Sequence, residues 1–182
     1  MRNPFIFFLV AVPVLLLNAT TYGQRATLPI SPDNEKIRFQ EVVHVEGSPK
    51  ELFNRCVNWL NNYYKNPVRI THVRDQGAGL IAGRHNIRLH YIDDDGNKRD
   101  AASVFYEFTI ELREDRFRYT FTDLVLRAAS RFEIERWMDK DDPAYDPRWD
   151  DYLDQIADYV DQWSRNLIEM MQPEPEVVEE DW

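Results

Sequence analysis

Three things are scarce in this sequence: cysteine, long apolar runs and basic charge. Cys56 is the single cysteine, which excludes an intrachain disulfide and, because no cysteine follows the N-terminal apolar run, a lipoprotein anchor. That run, from Phe5 to Leu17, is too short for a transmembrane helix, which needs about 20 apolar residues. The 182 residues carry 22 basic and 32 acidic side chains, a net charge of −10. This acidity opposes nucleic-acid binding, which depends on neutralising phosphates.

Sequence motifs of known chemistry are absent too. No G-x-S-x-G, P-loop or H-E-x-x-H pattern occurs. The acidic stretch from Asp93 to Asn97 resembles the start of a calcium loop, but Val104 stands where that loop needs its last ligand, a glutamate. Three histidines show no spacing typical of zinc ligands: His44, His72 and His90. The sequence therefore predicts neither a metal site nor a cofactor.

The N-terminus has the features of a secretory signal peptide: Arg2, the apolar run, and small or polar residues before Gln24. Cleavage after Gly23 removes one basic and no acidic residue, so the mature chain has a net charge of −11. An uncleaved membrane helix is the alternative. We predict a signal peptide over 1–23, a polar leader over 24–35, a single domain over 36–171 and a disordered acidic tail over 172–182. We expect a secreted or periplasmic protein with no membrane span after cleavage.

Apolar residues that alternate between Ile81 and Val125 predict the centre of the fold, since a period of two is typical of half-buried strands. A turn within Arg113 to Arg116 sets the register of the last hairpin. One face pairs apolar residues: Leu112 with Phe117, Ile110 with Tyr119, Phe108 with Phe121, and Val104 with Val125. The other face pairs Glu111 with Arg118 and Thr109 with Thr120, so both faces favour one register.

A second hairpin is predicted at Asp95-Gly96, two residues suited to a type I′ turn. It shares a strand with the first hairpin and gives three further pairs: Ile81 with Ile110, Ile87 with Val104, and Arg84 with Glu107. Another strand is expected from about Val68. Because Val73 falls out of phase in that strand, a bulge is predicted there.

Two amphipathic helices precede and follow these strands. The first begins at the capping box Ser48-Pro49-Lys50-Glu51, and the second begins after Asp146-Pro147. Their apolar stripes are Leu52, Phe53, Cys56, Trp59, Leu60, Tyr63 and Tyr64 in the first, and Trp149, Leu153, Ile156, Val160, Trp163 and Leu167 in the second. With a strand over Ile37 to Val45, the order is β-α-β-β-β-β-α. We predict an α+β fold, with both helices on the aromatic face of a five-stranded antiparallel sheet.

Several short stretches carry a family resemblance: Phe39 to Val45, Gly47 to Phe53, Trp59-Leu60, Gly79 to Gly83, and Arg116 to Asp123. Over roughly residues 37–167 the chain resembles a secreted Bacteroidetes domain of unknown function with a TBP-like fold. The resemblance implies a curved antiparallel sheet backed by two helices, and export. It implies no activity and no catalytic residues. DNA binding by the TATA-binding protein does not follow from a shared fold.

Two sets of residues are candidates for function. The register places His85, Tyr106 and Asp123 in one row across the apolar face, where a histidine oriented by neighbours suits acid/base chemistry. His85 and Asp123 would nevertheless lie about 10 Å apart, on strands two spacings from each other. A satisfied polar network is the alternative interpretation of this row.

The second set lies on the face of the sheet without helices: Arg84, Arg88, Phe105, Glu107 and Arg118. Its mixture of charges and one aromatic ring suits binding, and a plain solvated sheet face is the alternative interpretation. Binding is favoured over catalysis because the chain lacks a nucleophile motif, a metal cluster and a cofactor fingerprint. We predict a non-enzymatic module that binds an envelope protein, a peptide or a glycan. The alternative is an envelope enzyme that uses the row of His85, Tyr106 and Asp123.

Overall fold

A computed structural model describes residues 28–126 and 132–173. In chain order the elements are β1 (Phe39–His44), α1 (Pro49–Tyr63), α2 (Pro67–Ile70), β2 (Thr71–Asp75), β3 (Leu80–Ile92), β4 (Lys98–Arg113), β5 (Arg116–Leu126), β6 (Phe132–Glu133), a 3-10 helix (Ile134–Met138) and α3 (Arg148–Met170). The predicted signal peptide and residues 174–182 of the predicted tail lie outside the described residues. No helix in the described ranges is long and apolar enough to cross a membrane.

The strands form one antiparallel sheet in the order β1-β5-β4-β3-β2, with β6 beside β5. This confirms the predicted α+β class, with β6 as a short sixth strand. The hairpin registers also agree with the alternation: Leu112 pairs with Phe117, Ile110 with Tyr119, Phe108 with Phe121, Ile81 with Ile110, and Ile87 with Val104. The two-residue turn of the last hairpin places Asp115 at a φ of 54°.

The strand expected from Val68 begins later, at Thr71. Residues Pro67–Ile70 form the short helix α2 instead, because the Asn66 side chain accepts a hydrogen bond from the Arg69 amide and Pro67 occupies the first turn. Val68 is 76% exposed, so the valine that suggested a strand is not in the core. The bulge predicted near Val73 is present, between Thr71 and Val73.

A second bulge, in β5, was not predicted. Asp123 has a φ of 54°, and the ladder between β4 and β5 shifts opposite it, so that Val104 pairs with Leu126 and not with Val125. The extra residue reverses the alternation beyond Phe121. The alternation in the sequence placed Asp123 and Val125 on the apolar face. In the structure Leu124, which lies between them, is the buried residue, with 1% exposure.

Helices α1 and α3 cover the aromatic face of the sheet, as predicted. The capping box at the start of α1 forms, with the Ser48 amide donating to Glu51 Oε2 at 2.8 Å and the Glu51 amide to Ser48 Oγ at 3.3 Å. The two apolar stripes meet where Trp59 and Trp163 pack edge to face, with ring centroids 5.2 Å apart. Both rings are fully buried, so the core lies between the helices and β3 to β5.

Residues before β1 also belong to the packed domain. Leu28 is 3% exposed, Ile30 bridges to Ile37, and the Arg38 amide donates to the Pro29 carbonyl at 2.9 Å. The predicted polar leader over 24–35 therefore overlaps the domain from residue 28 onward. Leu28 has enough apolar surface to fix this segment, although prolines and charges surround it in the sequence.

Candidate functional site

The face of the sheet opposite the helices is called the open face here. Side chains alternate along each strand, so the residues next to the buried positions of β3, β4 and β5 point away from the helices. The structure places the five predicted binding residues on the open face: Arg84 and Arg88 on β3, Phe105 and Glu107 on β4, and Arg118 on β5. The predicted surface therefore exists, although it is not one cluster.

Two cross-strand ion pairs orient arginines on this face. Arg84 lies opposite Glu107 and binds its carboxylate, and Arg118 Nε donates to Glu111 Oε2 at 2.6 Å. Both pairs were predicted from the register. The Arg84 side chain remains 59% exposed, so each pair contributes only about 0–1 kcal/mol to stability. Their effect is to limit where each guanidinium can lie.

Arg84, Phe105 and Glu107 come together around one depression. Its volume is about 890 Å³, and its lining is Arg69, Ile70, His72, Arg84, His85, Asn86, Phe105 and Glu107. A smaller hollow of about 230 Å³ adjoins it, lined by Arg84, Phe105, Asp123 and Val125. Because Arg84 and Phe105 line both, they form the centre of the candidate site, which we call the Arg84 depression.

The other two predicted arginines lie elsewhere on the open face. Arg88 pairs with Ser103 and borders a separate hollow beside Ala101 and Ala102. Arg118 lies two strands away from Arg84, in a hollow at the hairpin end of β4 and β5. A ligand that touched all five predicted residues would have to lie across several strands.

The predicted row of His85, Tyr106 and Asp123 does not form. His85 does pair with Tyr106, with ring centroids 6.2 Å apart. The β5 bulge, however, brings Asp123 into the small hollow on the open face, beside Arg84. Residue 123 therefore cannot complete an acid/base group with a histidine on the apolar face.

Tyr106 belongs instead to a buried chain of hydroxyls that the sequence did not reveal. Trp163 Nε1 donates to Tyr64 Oη at 2.8 Å, and the hydroxyl of Tyr64 lies 3.1 Å from that of Tyr106. The Tyr106 hydroxyl lies 2.9 Å from that of Tyr159. Burial raises the pKa of Tyr159 to about 12 and raises the pKa values of Tyr64 and Tyr106 further. The hydroxyl groups therefore stay protonated, and each one forms a hydrogen bond with a neighbouring hydroxyl.

His85 lies at the margin of this network. Its ring centroid is 5.2 Å from that of Tyr64, and the residue also lines the Arg84 depression. Partial burial lowers the pKa of the His85 imidazole. The neutral ring is thus favoured, and it borders both the core network and the open depression.

In the described ranges no three histidine, cysteine or acidic side chains lie close enough together to hold a metal ion. Cys56 is fully buried in α1, and burial raises the pKa of its thiol. A thiol that is shielded and protonated is a core residue and not a nucleophile.

The part of the chain that forms most of the sheet matches a known protein family. Residues 39–127 match the model of a family described as a domain of unknown function (DUF4468) with TBP-like fold. This stretch of the chain belongs to the family. The match contains β1 to β5 and α1, and so it includes each of the five predicted binding residues.

Two solved structures support the DUF4468 assignment at the level of the fold. One is a TBP-like protein from Parabacteroides distasonis, 17% identical, with a TM-score of 0.65 over 81% of this chain and 99% of that one. The other is a DUF4468 family protein from Bacteroides ovatus, 14% identical, with a TM-score of 0.64 over 82% and 93%. No curated protein matches the chain. At these identities the likeness concerns the fold alone, and no DNA-binding role comes with the TBP-like name.

Proposed function

We propose that this DUF4468 domain is a non-enzymatic binding module, secreted or periplasmic, that holds a peptide, a glycan or another envelope protein on its open face. The observation that carries the proposal is the Arg84 depression. There an exposed arginine side chain and a partly exposed ring line one concave surface. Concave surfaces that combine apolar area with a few placed polar groups are the usual form of binding sites.

The chemistry of the depression favours a partner that bears carboxylates. A guanidinium is planar and can hold a carboxylate through two parallel hydrogen bonds. Glu107 restrains Arg84 through the ion pair, and more than half of the Arg84 side chain stays exposed. The Phe105 ring offers apolar area to a side chain or to the face of a sugar. Acidic peptides and glycans with uronic or sialic acid groups have both features.

The alternative of an envelope enzyme draws less support from these contacts. Its acid, Asp123, lines the open face, and its tyrosine is fully buried within the hydroxyl network. His85 keeps contact with the depression, and its ring packs against two tyrosines, Tyr64 and Tyr106. These observations support binding over general acid/base catalysis, which needs a base within reach of both its partner and a substrate.

Affinity capture with matched variants tests the proposal. Arg84, Arg88 and Arg118 are replaced together by serine in one variant. In the control, serine replaces Lys50, Lys140 and Arg165, which are exposed on the helices or beside them. Both variants lose three positive charges, so a general charge effect would act equally on both.

Each tagged protein is expressed in the cells that produce it, and captured material is analysed by proteomics and glycan analysis. We expect the native protein and the control to recover the same partner, and the open-face variant to lose it. Both should fold, since exposed ion pairs contribute only about 0–1 kcal/mol each. An identical set of partners for the two variants would refute the open face as the binding surface.

A further inference from the structure

One strand of the sheet is paired along only part of its outer edge. β3 has β4 on one side along its whole length, but β2 on the other side only as far as Gly83, which pairs with Thr71. Near the far end of β3 the Gln155 side chain takes the place of a strand. Its Oε1 accepts from the His90 amide at 3.0 Å, and its Nε2 donates to the His90 carbonyl at 2.9 Å. Between these points no strand of the described residues lies beside β3. We call the outer edge of residues 85–89 the β3 gap.

The backbone of the β3 gap presents hydrogen-bonding groups to its outer side. The Leu112 amide donates to the Gly79 carbonyl at 2.7 Å, so odd-numbered residues of β3 bond to β4 and even-numbered ones face away, because antiparallel pairs alternate. The outward bonds of His90 agree with this phase. The amides and carbonyls of Asn86 and Arg88 therefore point out of the sheet, and they have no hydrogen-bond partner in the part of the chain that the structure describes. These four groups form a template for one more strand.

The Arg84 depression opens onto the β3 gap. Its lining includes His85, whose ring packs on the helix side of the sheet, and Asn86, whose side chain lies on the open face. One depression can reach side chains on both faces of a strand only where it passes round the edge of that strand. Arg69 and Ile70, at the end of α2, line the same space. A ligand in the depression therefore lies beside the outward backbone groups of β3.

Arginines lie at both ends of the β3 gap. Arg88 is exposed on the open face and forms no ion pair with any other described residue. At the other end Arg84 and Arg69 line the depression. In an added strand the residue opposite Arg88 would share its face, and opposite charges on paired strands stabilise each other. The residues that follow would enter the depression. The gap therefore favours a strand with an acidic residue at each end.

We propose that the β3 gap accepts an extended acidic peptide as an additional antiparallel strand. Its first residue is acidic and lies opposite Arg88, its third exchanges backbone hydrogen bonds with Asn86, and a carboxylate at its fifth lies beside Arg84 in the depression. In strand addition, main-chain bonds give affinity and alternate side chains give specificity. The inference rests on the proposed function, because it selects a peptide among the partners considered there for the same depression.

The first test uses the unsubstituted full chain and three synthetic peptides. The parent probe is the capped peptide glutamate-valine-threonine-valine-glutamate. The other two carry an N-methyl group, either on the threonine or on the first valine. In the proposed pairing the threonine N–H points at Asn86 and the valine N–H points at solvent. Binding is measured by NMR from the shifts of the Asn86 and Arg88 amide signals.

We expect the threonine-methylated peptide to bind about tenfold more weakly than the parent, or weaker still. The valine-methylated peptide should bind as the parent does. Equal affinities of the two methylated peptides, the reverse order, or no shift at the Asn86 and Arg88 amides would overturn the proposal. Shifts at these amides that grow with protein concentration in the absence of peptide would assign the gap to a second copy of the chain, and would overturn it as well.

A pair of variants at Asn86 tests the same bonds from the side of the protein. Asn86→Pro removes the outward N–H and no bond to β4, and proline is tolerated on strand edges. Asn86→Ser is the matched control, since it loses the same side chain and keeps the N–H. We expect the proline variant to lose the parent peptide and the serine variant to keep it. Equal binding by both would contradict strand addition. The methylated peptides need no variant, so the test stands even where proline prevents folding.

Digalacturonate separates this inference from the proposed function, because it carries two carboxylates and no main-chain amides. We expect digalacturonate to shift the signals of Arg84 and Phe105 alone, and the parent peptide to shift those of Asn86 and Arg88 too. If the peptide shifts only Arg84 and Phe105, the depression remains a binding site and strand addition alone is wrong. No shift at any of the four residues with either probe would contradict both the inference and the proposed function.

Discussion

Replacement of Trp163 by alanine is the sharpest test of how the helices and the sheet are joined. The Trp163 ring is fully buried. Its centroid lies between 5.2 and 5.7 Å from those of four aromatic residues: Trp59, Phe108, Tyr119 and Phe121. Removal of a buried tryptophan or phenylalanine costs about 3–5 kcal/mol. Loss of the hydrogen bond to Tyr64 adds about 0.5–1.5 kcal/mol. We therefore expect a loss near the upper end, about 4–5 kcal/mol.

Urea denaturation followed by far-UV circular dichroism measures this loss. Since small domains unfold with about 5–15 kcal/mol, the midpoint should fall by a large fraction. Trp163→Phe, which keeps an aromatic ring but no N–H donor, should cost about 1–2 kcal/mol. Gln162→Ala, at the exposed neighbouring position, is the control and should stay within about 0.5 kcal/mol. A Trp163→Ala variant as stable as this control would refute the packing described here.

Three further predictions concern the N-terminal cap of α1, the signal peptide and the pH dependence of stability. Ser48→Ala should lower the free energy of unfolding by about 1 kcal/mol through the lost cap, as measured by the same denaturation. Expressed with its own leader, the protein should be recovered outside the cytoplasm beginning near Gln24, and mass spectrometry that finds an intact Met1 on exported material would contradict this. Because the folded state lowers the pKa of His85, the unfolded state binds more protons below about pH 6.5. Stability should therefore fall as the pH drops through that range, and His85→Gln should reduce the slope; an unchanged slope would show that His85 is not the cause.

Alternation alone was sufficient for most of the sheet. The pairs of Leu112 with Phe117 and of Arg84 with Glu107 follow from a period of two and a turn, because a slip of one residue would move every apolar side chain to the wrong face. The same pattern failed beyond Phe121. In the sequence, Asp123 and Val125 continue the alternation of Phe117, Tyr119 and Phe121. In the structure the positive φ of Asp123 moves the strand out of that alternation by one residue. Aspartate tolerates this conformation better than most residues, but it does not require it.

Local capping explains the other difference in secondary structure. Asn66-Pro67 has the same cap-then-proline order as Ser48-Pro49, which begins α1. The valine and isoleucine that follow Pro67 favoured a strand instead. In a helix of four residues the cap outweighs the preference of β-branched residues, which is weak and depends on context.

The sequence predicts the face of the sheet on which the candidate site lies, but not which of the residues on that face lie together. The five predicted binding residues share the open face because of strand periodicity, whereas the Arg84 depression also needs α2 and the β5 bulge. The hydroxyl network lay beyond sequence analysis for a similar reason. Its members come from the C-cap of α1, from β4 and from α3, and are up to 99 residues apart. A buried tyrosine indicates that its hydroxyl has a partner, but it does not say which one.

Photo-crosslinking from the Arg84 depression is the most direct test of the proposed binding function. A benzophenone amino acid replaces Phe105 in one variant and Gln162, exposed on α3, in the other. Each variant is illuminated in the cells that produce the protein, and adducts are identified by mass spectrometry. The open-face account predicts a specific adduct from position 105 and none from position 162. Adducts from position 162 alone would place the working surface on the helices and contradict it.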